Sequence, residues 1–123
     1  MKPTILVVDD SEAIRGMLTT LLVGAGYNVI TAGTYEHAKD EADFAEPDLL
    51  ILDIRLGDYN GLQIAVRERS RRRPRPLIVM SGHDDPVLVE EARRLGAEFV
   101  PKPIDPDHML AVIERLLGKR SDS

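Results

Sequence analysis

The chain has no cysteine and no tryptophan among its 123 residues, and only 4% of them are aromatic. Without cysteine, disulfides and thiolate metal sites are excluded, and a reducing compartment is the natural fit. With so few aromatics, the core has to be aliphatic. Hydrophobic residues make up 43%, enough for one such core. No run approaches the ~20 apolar residues that a membrane span needs. The opening Met1-Lys2-Pro3-Thr4 lacks the length of a signal peptide. Basic residues are the minority, 16 against 21 acidic, for a net charge of -5. A general nucleic-acid binder usually leans the other way. The length predicts one domain, residues 1–118, followed by a polar tail over 119–123. There is no internal repeat and no low-complexity linker.

What the chain does have is three acids after apolar runs. Asp9 and Asp10 follow Ile5-Leu6-Val7-Val8, and Asp53 follows Leu49-Leu50-Ile51-Leu52. Short unbroken apolar runs read as strands buried on both faces. If the two strands are parallel neighbours, all three carboxylates meet at one sheet edge. Three such charges are costly together unless a cation joins them or one stays protonated. Carboxylate oxygens with room for water and phosphate suit Mg2+.

The rest of the chain alternates. Strands are predicted over 4–9, 28–32, 48–53, 77–80 and 97–100. Helices are predicted over 11–24, 35–45, 62–71, from Pro86 to Gly96, and from Pro106 onward. Asp10 or Ser11 can cap the first helix, Thr34 the second, Asp84 or Asp85 the fourth. Gly57, Asp58, Asn60 and Gly61 predict a loop. Five strands alternating with five helices indicate an α/β domain with a parallel sheet. Sheets of this kind place their sites beyond the carboxyl ends of the strands.

The fourth strand ends at Ser81-Gly82, and the fifth is followed by Lys102-Pro103. One edge therefore carries Asp9, Asp10, Asp53, Ser81 and Lys102. Taken singly, each has an ordinary reading. An acidic pair can cap a helix, Asp53 or Ser81 can belong to a turn, and a lysine is usually solvated. Their joint arrangement, in order and at the right strand ends, closely resembles the receiver domain of bacterial two-component response regulators. The resemblance runs from the first strand to the last helix. The expected fold is then a doubly wound, flavodoxin-like sheet of five parallel strands in the order 2-1-3-4-5, with helices on both faces.

The resemblance implies roles residue by residue. Asp53 would accept a phosphoryl group from a phosphohistidine of a sensor histidine kinase or phosphotransfer protein. Asp10, Asp53 and the Arg55 backbone carbonyl would bind Mg2+ directly, and Asp9 through an intervening water. Lys102 and Ser81 would each bond a phosphoryl oxygen, and Lys102-Pro103 would be cis. Ser81 and Phe99 would relay the change to a protein partner on the face of the fourth helix, fifth strand and last helix, around Glu90 and Arg94. A cytoplasmic location and no direct nucleic-acid contact go with this reading. The chain departs from the family at Leu56-Gly57, where Met-Pro is frequent, at Asn60, at Gly82, and at Phe99, which lacks a hydroxyl. None of these removes a catalytic group.

The alternatives are a metal-dependent phosphohydrolase or phosphotransferase with an Asp nucleophile, and a receiver-like binder that is never phosphorylated. The first normally needs a cap domain, for which this length has no room. The second has no use for an intact acid–Ser–Lys set. The chain is read as a non-enzymatic switch with its own phosphotransfer and autodephosphorylation chemistry, either stand-alone or cut from a longer regulator. The arginines at 67, 69, 71, 72, 73 and 75 read as a solvated helix end. His83 and Arg55 can stand over the phosphoryl group, while His37 and His108 read as surface residues.

Overall fold

The computed structural model describes residues 1–57, 59–82 and 86–118. Seven strands and five helices follow one another: β1 Thr4–Val8, α1 Glu12–Gly24, β2 Asn28–Ala32, α2 Tyr35–Phe44, β3 Leu49–Asp53, β4 Arg55–Leu56, β5 Tyr59–Asn60, α3 Leu62–Arg69, β6 Leu77–Ser81, α4 Pro86–Arg94, β7 Glu98–Pro101 and α5 Pro106–Leu117. Five strands form one parallel sheet in the order β2-β1-β3-β6-β7. Counted along the sheet's own strands this is 2-1-3-4-5, as expected.

Side chains alternate across each strand, so the sheet buries two separate cores. Leu6, Val8, Leu50, Leu52 and Val79 pack on one face with Ala38 and Ala42 of α2, Ile64 and Ala65 of α3 and Ala92 of α4. Ile5, Val7, Leu49, Ile51, Ile78 and Met80 pack on the other, with Leu18 and Leu22 of α1 and Met109, Val112 and Ile113 of α5. β3 is buried at every residue because helices cover both of its faces. Each fully buried Leu or Ile contributes about 1.5–3 kcal/mol relative to exposure.

The first two helices start at predicted caps, and the last starts at one not singled out from the sequence. The Ser11 hydroxyl accepts from the Ile14 amide, Thr34 from His37, and Asp105 from Asp107 and His108. Capping of α1 falls to Ser11, not Asp10, so the Asp10 carboxylate stays exposed at the strand end. The expected Asp84 or Asp85 cap lies outside the described residues, as do Asp58 and the 119–123 tail.

Two expectations are corrected. The segment read as a loop contains a short antiparallel ribbon, with Arg55 opposite Asn60 and Leu56 opposite Tyr59. Strands of two residues are too short to show alternation. The arginine cluster is also more than a solvated end. Glu68 is buried at 3% exposure and takes Arg75 through Nε and Nη2, both at 2.8 Å. Arg75 Nη1 also donates to the carbonyls of Ala42 at 3.1 Å and Pro47 at 3.4 Å. Arg71 Nε lies 3.4 Å from Glu68, and Arg67 grips Asp43 with bonds of 3.0 and 2.6 Å. These side chains tie the end of α3 to the end of α2 and the start of β3. Among the described residues no helix is long and apolar enough to cross a membrane.

Candidate functional site

Parallel register brings the strand ends together. Val8 pairs with Leu52, Asp53 with Met80, and Ser81 with Pro101, so the residues just beyond share the carboxyl edge. There Asp9, Asp10 and Asp53 each bring a carboxylate oxygen within 4.8 Å of the others. Lys102 stands among them, its Nζ 3.0 Å from Asp9 Oδ2 and 3.4 Å from Asp53 Oδ2. The Lys102-Pro103 peptide is cis.

The three acids are held differently. Asp9 is fully buried, and its Oδ1 accepts from the Ser11 amide at 2.9 Å while Oδ2 takes Lys102. Asp53 is buried too, and its Oδ1 accepts from the Arg55 amide at 3.1 Å. Asp10 is exposed. The Ser81 hydroxyl is buried and donates to the Gly82 carbonyl at 2.8 Å.

Burial pushes the Asp53 carboxyl above the usual aspartate range; the Arg55 amide opposes this, the Asp9 charge adds to it, and Lys102 opposes it. Burial alone would lower Lys102, but its bond to Asp9 and the charges of Asp9 and Asp53 outweigh that and raise it. Lys102 is therefore a fixed ammonium inside an acidic pocket. Three carboxylates against one ammonium remain net anionic, and all their free donors are oxygens. That donor set fits a small hard divalent cation such as Mg2+.

Gly61, which the sequence places in a loop, is also a residue of the site. Its amide donates to the Ile54 carbonyl at 2.7 Å. A Cβ there would collide with the Asp53 backbone carbonyl. The Asn60-Gly61 dipeptide signals a turn, but nothing local shows that the turn folds back onto Asp53.

Phe99 lies half-buried on β7, with the Arg93 guanidinium carbon 5.8 Å from its ring centroid. Beside it, Glu98 pairs with Arg115 of α5 at 2.9 Å. The Arg55 side chain is exposed, His37 and His108 are surface residues, and His83 lies outside the described residues.

Comparison with known proteins gives the same picture. The profile of the response regulator receiver domain matches residues 5–114. The DNA-binding transcriptional regulator NtrC of Azospirillum brasilense is 35% identical over 119 residues, covering 96% of this chain and 25% of that protein. The transcriptional regulatory protein FixJ of Bradyrhizobium diazoefficiens is 32% identical over 114 residues, covering 92% of this chain and 56% of that one. This chain thus spans a quarter to just over half the length of these curated relatives. A crystal structure of a putative response regulator from Chloroflexus aurantiacus superposes with a TM-score of 0.89 at 27% identity, over 97% of this chain and 100% of that one. With its fold, its strand-end acids and these relatives in agreement, the chain belongs to the response regulator receiver domain family.

Proposed function

We propose that this receiver domain is switched by phosphorylation of Asp53, with the donor a phosphohistidine on a sensor histidine kinase or phosphotransfer protein. The observation that carries this reading is the meeting of Asp53 with Asp9, Asp10 and Lys102 at the carboxyl edge, within 4.8 Å among the acids and 3.4 Å to the lysine. One Asp53 oxygen attacks phosphorus, an O–P bond forms, and the P–N bond to histidine breaks with its electron pair going to the imidazole. The product is an aspartyl acyl phosphate.

Asp10, Asp53 and the Arg55 backbone carbonyl would hold Mg2+ directly, with Asp9 outside them, and its charge would offset that of the attacking carboxylate and the phosphoryl oxygens. Both Asp9 oxygens already have partners, Ser11 and Lys102, which supports the indirect role. Lys102 Nζ, now between Asp9 and Asp53, pairs with a phosphoryl oxygen once Asp53 is modified. The Ser81 hydroxyl leaves the Gly82 carbonyl for another. That movement opens space for Phe99 to turn inward and alters the face of α4, β7 and α5.

A protein partner suits this face, and the acidic balance of the domain favours protein over nucleic acid as its direct contact. The switch is placed in the cytoplasm, where its donors reside. The phosphohydrolase alternative finds no support among the relatives. Intact-mass analysis with acetyl phosphate and Mg2+ tests the reading. Addition of one phosphoryl group, lost in Asp53→Asn, is expected. Rapid turnover of phosphomonoesters without a stable adduct would instead make the chain an enzyme.

A further inference from the structure

We propose that Arg15, given its place by the missing side chain of Gly33, is a positioning residue that aims Asp10 into the acidic site; this rests on reading that site as one for Mg2+. Arg15 lies in α1, and its Nη1 donates to the Asp9 backbone carbonyl at 2.7 Å. That carbonyl belongs to the peptide unit joining Asp9 to Asp10. A short charge-assisted bond to it fixes the tilt of the peptide plane. The Asp9 amide, on the other side, donates to the Ala32 carbonyl at the end of β2 at 3.1 Å.

Asp10 depends on this more than its neighbours do. The carboxylates of Asp9 and Asp53 are anchored by Ser11, Arg55 and Lys102. Among the described residues no hydrogen bond or ion pair holds the Asp10 carboxylate, so its direction is set through its backbone. Gly33 supplies the space for the clamp. A Cβ there would sit 2.7 Å from Arg15 Nη1 and 3.2 Å from Cζ. Its φ is not in the left-handed region, so the glycine is needed for room, not for backbone freedom. The clashing atoms are the far end of a flexible side chain, so Gly33→Ala displaces the guanidinium and leaves the fold intact.

Charge and position predict opposite signs. A cation beside the pocket repels Mg2+, so if Arg15 acted only as a charge, Arg15→Gln would tighten binding. If it positions Asp10, Arg15→Gln weakens binding by about tenfold, the effect of losing a partner that orients a ligand. Mg2+ is titrated into the full chain and followed by amide NMR shifts, with melting of the metal-free protein as the folding check. Arg15→Gln and Gly33→Ala are expected to weaken Mg2+ similarly, the double variant no more than either alone. Phosphorylation by acetyl phosphate at saturating Mg2+ is expected to recover. Unchanged or tighter binding in Arg15→Gln, or additive losses in the double variant, overturns the inference. Absence of Mg2+ binding in the unmodified protein overturns the metal reading itself, and the inference with it.

Discussion

Asp53 carries its negative charge at a cost in the metal-free protein, because burial and the Asp9 charge outweigh the help from Arg55 and Lys102. Its folded-state pKa is raised above the ordinary 3.8, so the native state binds the proton more tightly than the unfolded chain. Stability therefore falls as pH rises from near 3.8 through the raised folded value, and stays lowered above it. Asp53→Asn removes that charge. In chelator at neutral pH the variant is expected to melt higher than the parent, with the difference vanishing below about pH 4. Melting curves across pH check this, and a variant that melts lower at neutral pH would contradict it. Gly61→Ala is expected to act on the same residue from outside. It pushes a Cβ against the Asp53 carbonyl, so it should cost about 1–3 kcal/mol as overpacking and slow phosphorylation. Denaturant unfolding and the rate with acetyl phosphate measure the two effects. Asp9, Asp10 and Asp53 were legible in the sequence because they follow short unbroken apolar runs that read as buried strands. Gly61 was not, because its reason is a contact across the chain.

At the scale of elements, the link from α3 to α2 and β3 rests on a buried charge. Arg75 satisfies Glu68 and two backbone carbonyls together. Arg75→Ala leaves Glu68 buried without its main partner, which is expected to cost about 3–5 kcal/mol. Replacing an exposed arginine such as Arg72 should change stability by less than ~0.5 kcal/mol. Urea unfolding of the two variants makes the comparison, and equal effects would restore the reading of a merely solvated cluster. The five sheet strands and five helices were legible because each has its own period, cap or glycine stop. The β4–β5 ribbon and the Glu68–Arg75 pair were not. Two-residue strands have no period, and nothing in a run of arginines shows which one turns inward.

At the scale of the whole molecule, the proposed switch couples one sheet edge to one distant face. The edge is a net anionic pocket whose repulsion a bound divalent cation would relieve. Mg2+ at a hundred times its Kd should raise stability by about 2.7 kcal/mol, and a melting temperature that ignores Mg2+ would count against the site. The proposed route to the distant face runs through Ser81 and Phe99. Ser81→Ala is expected to keep phosphorylation while reducing the amide shift changes at Phe99 and along α4 and α5. Changes confined to the loops around Asp53 in the parent protein would remove this route. Each step depends on where the phosphoryl group sits. Borohydride reduction converts an aspartyl acyl phosphate to homoserine, and peptide mass mapping then locates it. Homoserine is expected at position 53 and nowhere else. An unmodified Asp53 with homoserine at position 9 or 10 would contradict it.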